Sequence, residues 1–194
     1  MGYHHVALAV RDLAATHAFY TEAMGFELVK AVVGPTEAPG GWAKHLFYDT
    51  GGDGMIAFWE LHDQRVPADF DPRISEGLGL PSWVNHIAFS ATDGADLERR
   101  REHWLDQGID VFELDHGFCR SVYASDPNGI LVEWCTDTRE YTSADRAAAL
   151  AILTDPDPAF EGAPQAWFHP GRPRTPVGST PAPEEAPLAP VEAG

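Results

Sequence analysis

The sequence predicts an α+β fold made of two copies of one βαβββ module. Three observations carry that expectation. A segment near the start, His5-Val6-Ala7-Leu8-Ala9-Val10-Arg11-Asp12, recurs as His86-Ile87-Ala88-Phe89-Ser90-Ala91-Thr92-Asp93, which is the mark of a duplicated unit. Each copy is followed by residues at helical spacing that end at a glycine, and then by short β-rich segments. A length of 194 residues, 44% hydrophobic and 22% charged, suits two small modules that share a core.

In the first copy the strand around His5 leads into a helix with Leu13, Phe19, Tyr20 and Met24 on one side. Asp12 stands at the N-cap position and Gly25 just past the end. In the second copy Leu97, Trp104 and Leu105 recur similarly and Gly108 stops the helix. Each module closes on a hairpin: the stretches Phe47–Phe58 and Val122–Glu133 align without a gap, tyrosine on tyrosine and glycine on glycine. The modules run over 3–62 and 83–137, with a linker rich in Asp, Pro and Gly at 63–82. An Ala-rich helix, about 143–153, lies within 138–155. Ten of the 16 prolines fall in 156–194, so that stretch reads as a disordered tail, with one apolar island at Ala166-Trp167-Phe168-His169. Two such modules place two curved sheets side by side around a shared concavity.

Charge and composition exclude several functions. With 13 Lys+Arg against 30 Asp+Glu the net charge is −17, which repels nucleic-acid phosphates and anionic membranes. Five of the acidic residues and two of the basic ones lie beyond Asp155, so the acidity belongs to the modules and sits better with a neutral substrate than an anionic one. No apolar run approaches membrane-spanning length, and the N-terminal residues lack the pattern of a secretory signal. Two cysteines, Cys119 and Cys135, are too few for a disulfide framework or a thiolate cage. The expectation is a cytoplasmic protein.

Strand alternation selects a chemical constellation. His5, Ala7 and Ala9 share one face of their strand, as do His86, Ala88 and Ser90, while the bulky residues face the helices. A histidine on a face of small residues is what a cavity lining requires. Glu133 closes the last strand between Val132 and Trp134, which point to the other face. Two imidazoles and one carboxylate make the facial triad of non-haem Fe(II) sites, with positions left for substrate and O₂. His4 competes with His5, but the repeat aligns His86 with His5 and Asn85 with His4.

These residues, together with Phe19-Tyr20, Met24-Gly25-Phe26, Asn85-His86-Ile87-Ala88-Phe89 and Asp126-Pro127-Asn128-Gly129, resemble the vicinal oxygen chelate superfamily over residues 3–137. That superfamily includes glyoxalase I, epimerases, fosfomycin-resistance and bleomycin-binding proteins and type I extradiol dioxygenases. The resemblance implies a vicinal-oxygen-chelate fold around a shared metal-containing cavity, a homodimer, and His5, His86 and Glu133 as metal ligands. Glyoxalase-like members add a fourth ligand at the place equivalent to Glu133, which the gap-free alignment gives to Phe58. Glu60, two residues on and hence on the same strand face, is then the candidate fourth ligand.

The stretch His116-Gly117-Phe118-Cys119-Arg120-Ser121-Val122-Tyr123, with Tyr123 ten residues before Glu133, resembles type I extradiol dioxygenases. The resemblance implies that Tyr123 and His116 contact substrate oxygens, and a phenol beside a Lewis-acidic metal helps a diol ionise. The histidine those enzymes carry near the last strand of the first module has its matching place near Gly54, and His45 is the nearby substitute as acid or base. Of the remaining groups, Arg99-Arg100-Arg101 reads as a solvated helix face, Cys135 shares the Glu133 face, and Trp42, Phe47, Trp59 and Trp83 are candidates to line an aromatic pocket. The expected function is Fe(II)-dependent extradiol cleavage of a catechol or related aromatic diol by O₂, with Mn, Ni, Zn or Co as alternative metals. The runner-up is a glyoxalase- or epimerase-type isomerase or lyase using Glu60. A third reading is a metal-free protein that sequesters a drug.

Overall fold

A computed structural model describes residues 2–52, 54–160 and 162–173. The first module contains β1 (His5–Ala9), α1 (Leu13–Ala18) continued by a π-helical turn (Phe19–Ala23), β2 (Glu27–Pro35), β3 (Trp42–Asp49) and β4 (Met55–His62). The second contains β5 (His86–Ser90), α2 (Gly94–Asp106), β6 (Val111–Asp115), β7 (Cys119–Ser125) and β8 (Leu131–Asp137). Then come α3 (Ser143–Thr154) and β9 (Gln165–His169).

The duplicated sequence folds into duplicated topology. The first sheet has the order β1-β4-β3-β2 and the second β5-β8-β7-β6-β9, with β1/β4 and β5/β8 parallel and the other neighbours antiparallel. The first helix starts at its expected cap, and the repeat counterpart Asp93 caps the second. Asp12 accepts from Ala15 N at 2.9 Å, and Asp93 accepts from Asp96 N at 2.7 Å. The glycines that stop the two helical segments, Gly25 and Gly108, have φ of 75° and 72°, a region closed to most other residues. Thr142 and Asp145 form a reciprocal capping box at the start of α3.

The two modules join through their helix-bearing sides. Trp104 on α2 donates its indole N–H to the Ala23 carbonyl at 3.1 Å, and the Phe26 ring packs 5.0 Å from Phe89 and 5.8 Å from Trp134. Tyr20, Phe58 and Trp104 are fully buried in this continuous core, each contributing on the order of 2–3 kcal/mol of apolar burial. The β7–β8 turn reaches into the other module. Asn128 donates to Thr16 Oγ1 at 2.9 Å and accepts from Arg11 N at 3.2 Å, while Tyr20 Oη donates to Asp126 at 3.3 Å. Asp126 in turn holds its own turn by accepting from Asn128 N and Ile130 N, both at 2.8 Å.

Two expectations need correction here. The segment 156–194 is not a featureless tail throughout, since the apolar island forms β9, paired antiparallel to β6 from Gln165↔Asp115 to His169↔Val111. The reason is a polar anchor that local composition does not reveal. Buried Glu113 accepts from Arg101 at 2.8 Å, Arg120 at 2.6 Å and His169 at 2.9 Å, and Arg172 pairs with Glu102 and Asp106. Residues 174–194 of the expected tail lie outside the described residues. The arginine run is also not simply a solvated face. Arg99 is exposed, but the Arg100 guanidinium sits 3.5 Å above the Trp134 ring and Arg101 reaches Glu113. No helix among the described residues is long and apolar enough to cross a membrane.

Candidate metal-binding half-sites

Pairing register places His86 opposite Leu131, Ala88 opposite Glu133 and Ser90 opposite Cys135. Because Val132 and Trp134 are buried against the helices, Glu133 and His86 share the open face of the second sheet. His86 Nε2 lies 3.0 Å from Glu133 Oε2, and its Nδ1 donates to the Trp83 carbonyl at 3.0 Å. That backbone bond fixes the ring and leaves Nε2 aimed at a buried carboxylate, the arrangement that metal-ligating histidines use. The donor set of imidazole plus carboxylate fits a divalent first-row metal.

The neighbouring groups gather around this pair. Tyr123 is opposite Glu133 in the β7–β8 register, so the two side chains share a face, and His116 Nε2 stands 3.4 Å from Tyr123 Oη. Burial pushes the Tyr123 phenol well above its ordinary pKa of 10.0; a contact with Ser121 pulls it partly back, and the Glu133 charge raises it again. Tyr123 is thus a proton donor throughout the neutral range. His86, Tyr123 and His116 line a cavity of about 510 Å³ whose other walls include Trp83, Phe112 and Phe168. Cys135 and Cys119 lie on the same face as free thiols, with burial raising both pKa values, that of Cys135 to about 12.

His5 stands on the open face of the first sheet. Its ring centroid is 5.3 Å from Phe47 and 5.9 Å from His45, and its Nδ1 is 2.7 Å from His4 Nδ1, leaving Nε2 as its remaining coordinating nitrogen. His45 is buried and stacked on Trp59 at 3.7 Å, and its Nε2 has no hydrogen-bond partner among the described residues. Burial, and next the proximity of His5, lower the His45 pKa, so its ring is a neutral base at pH 7. The structure brings His86, Glu133, Tyr123 and His116 together and brings His5 to His45. Among the described residues no three His, Cys, Asp or Glu side chains lie where one metal ion could hold all of them, so the triad does not close within a single chain. The expected shared cavity is, in one chain, two half-sites, because the modules are joined through their helices.

Two alignments made on sequence alone also change. In the structure Tyr123↔Glu133 corresponds to Phe47↔Ala57, whereas Tyr48 pairs with Ile56 in the core. The hairpins superpose one residue away from the tyrosine-on-tyrosine alignment, and a one-residue slip reverses every face. Phe58 therefore matches Trp134 in the core, and Ala57, which cannot coordinate, occupies the fourth-ligand place. Glu60 is on the opposite face from His5, 2.7 Å from Lys44 Nζ and 3.3 Å from His62 Nε2, with the Lys44 bond lowering its pKa. It is not poised as a fourth ligand. Of the aromatic candidates, Trp83 lines the His86 cavity, Phe47 and Trp59 surround His45, and Trp42 stacks on His62 at 3.8 Å, away from both half-sites. Phe112 stands out in no sequence pattern and Phe168 only as part of the apolar island, because it is the β6–β9 pairing that brings them side by side.

With the duplicated topology in place, the sequence profile of the Glyoxalase/Bleomycin resistance protein/Dioxygenase superfamily matches residues 2–134. The chain belongs to this superfamily. Two solved structures agree on the fold, and a third is more distantly similar. A glyoxylase/bleomycin resistance protein/dioxygenase domain from Frankia sp. EAN1pec is 24% identical, with 71% of this chain and 98% of that one covered and a TM-score of 0.53. The fosfomycin resistance protein FosX from Listeria monocytogenes is 21% identical, with 75% and 98% covered and a TM-score of 0.50. A lactoylglutathione lyase from Agrobacterium tumefaciens is 25% identical, with 69% and 92% covered and a TM-score of 0.45. No curated protein matches the chain. Closeness to the extradiol branch of the superfamily is not shown by these likenesses.

Proposed function

We propose that this superfamily member is a metal-dependent dioxygenase of the extradiol type, acting on a catechol or related aromatic vicinal diol. Its metal centre would be completed between two copies of the chain, His86 and Glu133 from one and His5 from the other. The observation that carries the reading is the position of Glu133, 3.0 Å from His86 and directly across from Tyr123 on the same face, while the matching place in the first module holds Ala57. Three ligands without a fourth leave positions for a bidentate diol and for O₂.

Fe(II) suits this donor set, and when bound it supplies Lewis acidity toward the diol and electrons toward O₂. The protein's own groups would do the rest. Tyr123, held protonated, donates to a diol oxygen as that oxygen loses its proton. His116, in contact with the phenol, orients it and donates to the second oxygen. His45, neutral and carrying an unpartnered Nε2 beside His5, accepts the released proton. The apolar cavity walls exclude water and receive the ring.

The test is metal content after anaerobic preparation, followed by O₂ uptake with a panel of catechols. Iron together with O₂ uptake is the expected result. Binding of Mn, Ni, Zn or Co without O₂ consumption would replace this reading with an isomerase or lyase, and failure to bind any metal would replace it with a sequestering protein.

A further inference from the structure

We propose that strand β9, which lies beyond the region matched by the superfamily, forms the outer wall of the substrate cavity, with Phe168 as its specificity-determining residue. The cavity would thereby accept a fused-ring or aryl-bearing phenolic substrate in preference to a single ring. This rests on the reading that the cavity beside His86, His116 and Tyr123 is the substrate site.

Three observations support it. First, Phe168 pairs with Phe112 across β6–β9, so the two rings lie side by side on the open face, and both line the cavity. Second, Trp83, Phe112 and Phe168 are 68%, 44% and 63% exposed, an apolar surface gathered around one concavity whose far side holds His86, His116 and Tyr123. Aromatic walls with a few convergent polar groups are the layout of a small-molecule site, and about 510 Å³ is ample for more than one ring. Third, the wall is anchored from behind. His169 binds buried Glu113, which also holds Arg101 and Arg120, while Gly171 N donates to Asp110 at 2.8 Å and Arg172 N to the Leu105 carbonyl at 2.8 Å. An edge strand paired along β6 and anchored at its C-terminal end presents Phe168 as a rigid surface rather than a loose flap.

The experiment is calorimetric titration of the metal-free full-length protein with 2-naphthol and with phenol, neither of which can chelate. The wild type is expected to bind 2-naphthol about tenfold more tightly than phenol, as an extra ring against aromatic walls requires. Phe168→Ala should reduce that preference to about twofold or less, and Phe168→Leu should restore most of it. Trp167→Ala, on the opposite face of β9 next to Glu113, should keep the preference and so report that the strand is still docked. No preference in the wild type, or an unchanged preference in Phe168→Ala, would overturn the proposal. So would a variant whose only change is weaker self-association by sedimentation, because a second copy would then be what covers these rings. A Phe168-dependent preference in a protein that binds no metal leaves the subsite standing and removes the metal reading. Metal binding without the preference does the reverse.

Discussion

His86 Nε2 and Glu133 Oε2 are 3.0 Å apart on adjacent parallel strands, with the far nitrogen of the imidazole tied to the Trp83 carbonyl. The pair would supply two of the three ligands of the proposed centre, preorganised by a backbone hydrogen bond. The proposed third ligand, His5, occupies the same register position in the other module, opposite Met55 where His86 is opposite Leu131.

Glu60 separates three-ligand from four-ligand chemistry. Because it pairs with Lys44 on the other face of its sheet, Glu60→Ala should leave metal affinity within about twofold of wild type, whereas Glu133→Ala should lower it by about 10²-fold or more. Competition with a chromogenic chelator measures both.

In the proposed reaction Tyr123 would act on substrate rather than on metal. Tyr123→Phe should retain full metal content and fold stability yet lose about 10²-fold in kcat, and His116→Ala should lose less. Single-turnover kinetics on catechol, with metal analysis of the same samples, checks this. Equal loss of metal and rate would make Tyr123 a structural residue.

Asn128 couples the modules. Its side chain bridges Thr16 Oγ1 and Arg11 N from within the β7–β8 turn, so Asn128→Ala leaves polar groups unpaired in a buried junction. A loss of about 2 kcal/mol in urea denaturation is expected, with the first module's amides showing faster hydrogen exchange.

Glu113 makes the anchoring of β9 pH-dependent. Burial raises its pKa, but hydrogen bonds from Arg120 and Arg101, with His169, outweigh that and hold it below the ordinary 4.5. A depressed folded pKa means that the unfolded chain binds the proton first. The contribution to stability is therefore complete above pH 4.5 and is lost as pH falls toward the folded value. Glu113→Gln should cost about 3 kcal/mol at pH 7 and flatten the acid limb of the stability curve. Denaturation midpoints between pH 3 and pH 7 provide the comparison.

Much of this arrangement was legible in the sequence, and its failures have physical causes. The repeat and the period-2 alternation around His5 and His86 identify two equivalent strands and their open faces, and the cap Asp12 sets the start of the first helix. The fourth-ligand place was misread because Tyr48 and Tyr123 look alike. Burial of Ile56 and Phe58 decides the register, and burial is not local. Strand β9 was missed because five residues in a proline-rich stretch gain order only by pairing with β6 and by the charges that meet at Glu113. Arg100 and Arg101 were misassigned because Trp134 and Glu113, remote in sequence, receive them. Whether the two half-sites meet within one chain is a matter of how modules dock, and no residue pattern along a strand records it.

The claim that the centre forms between two copies is tested most directly by mixing two inactive variants. His5→Ala and Glu133→Ala are each expected to lose high-affinity metal binding as pure proteins. When they are unfolded together and refolded at equal concentration, mixed dimers carry one intact His5 opposite one intact His86–Glu133 pair. Random pairing then restores about one quarter of the wild-type metal sites. No recovery on mixing, or wild-type metal affinity in His5→Ala alone, would contradict a shared centre.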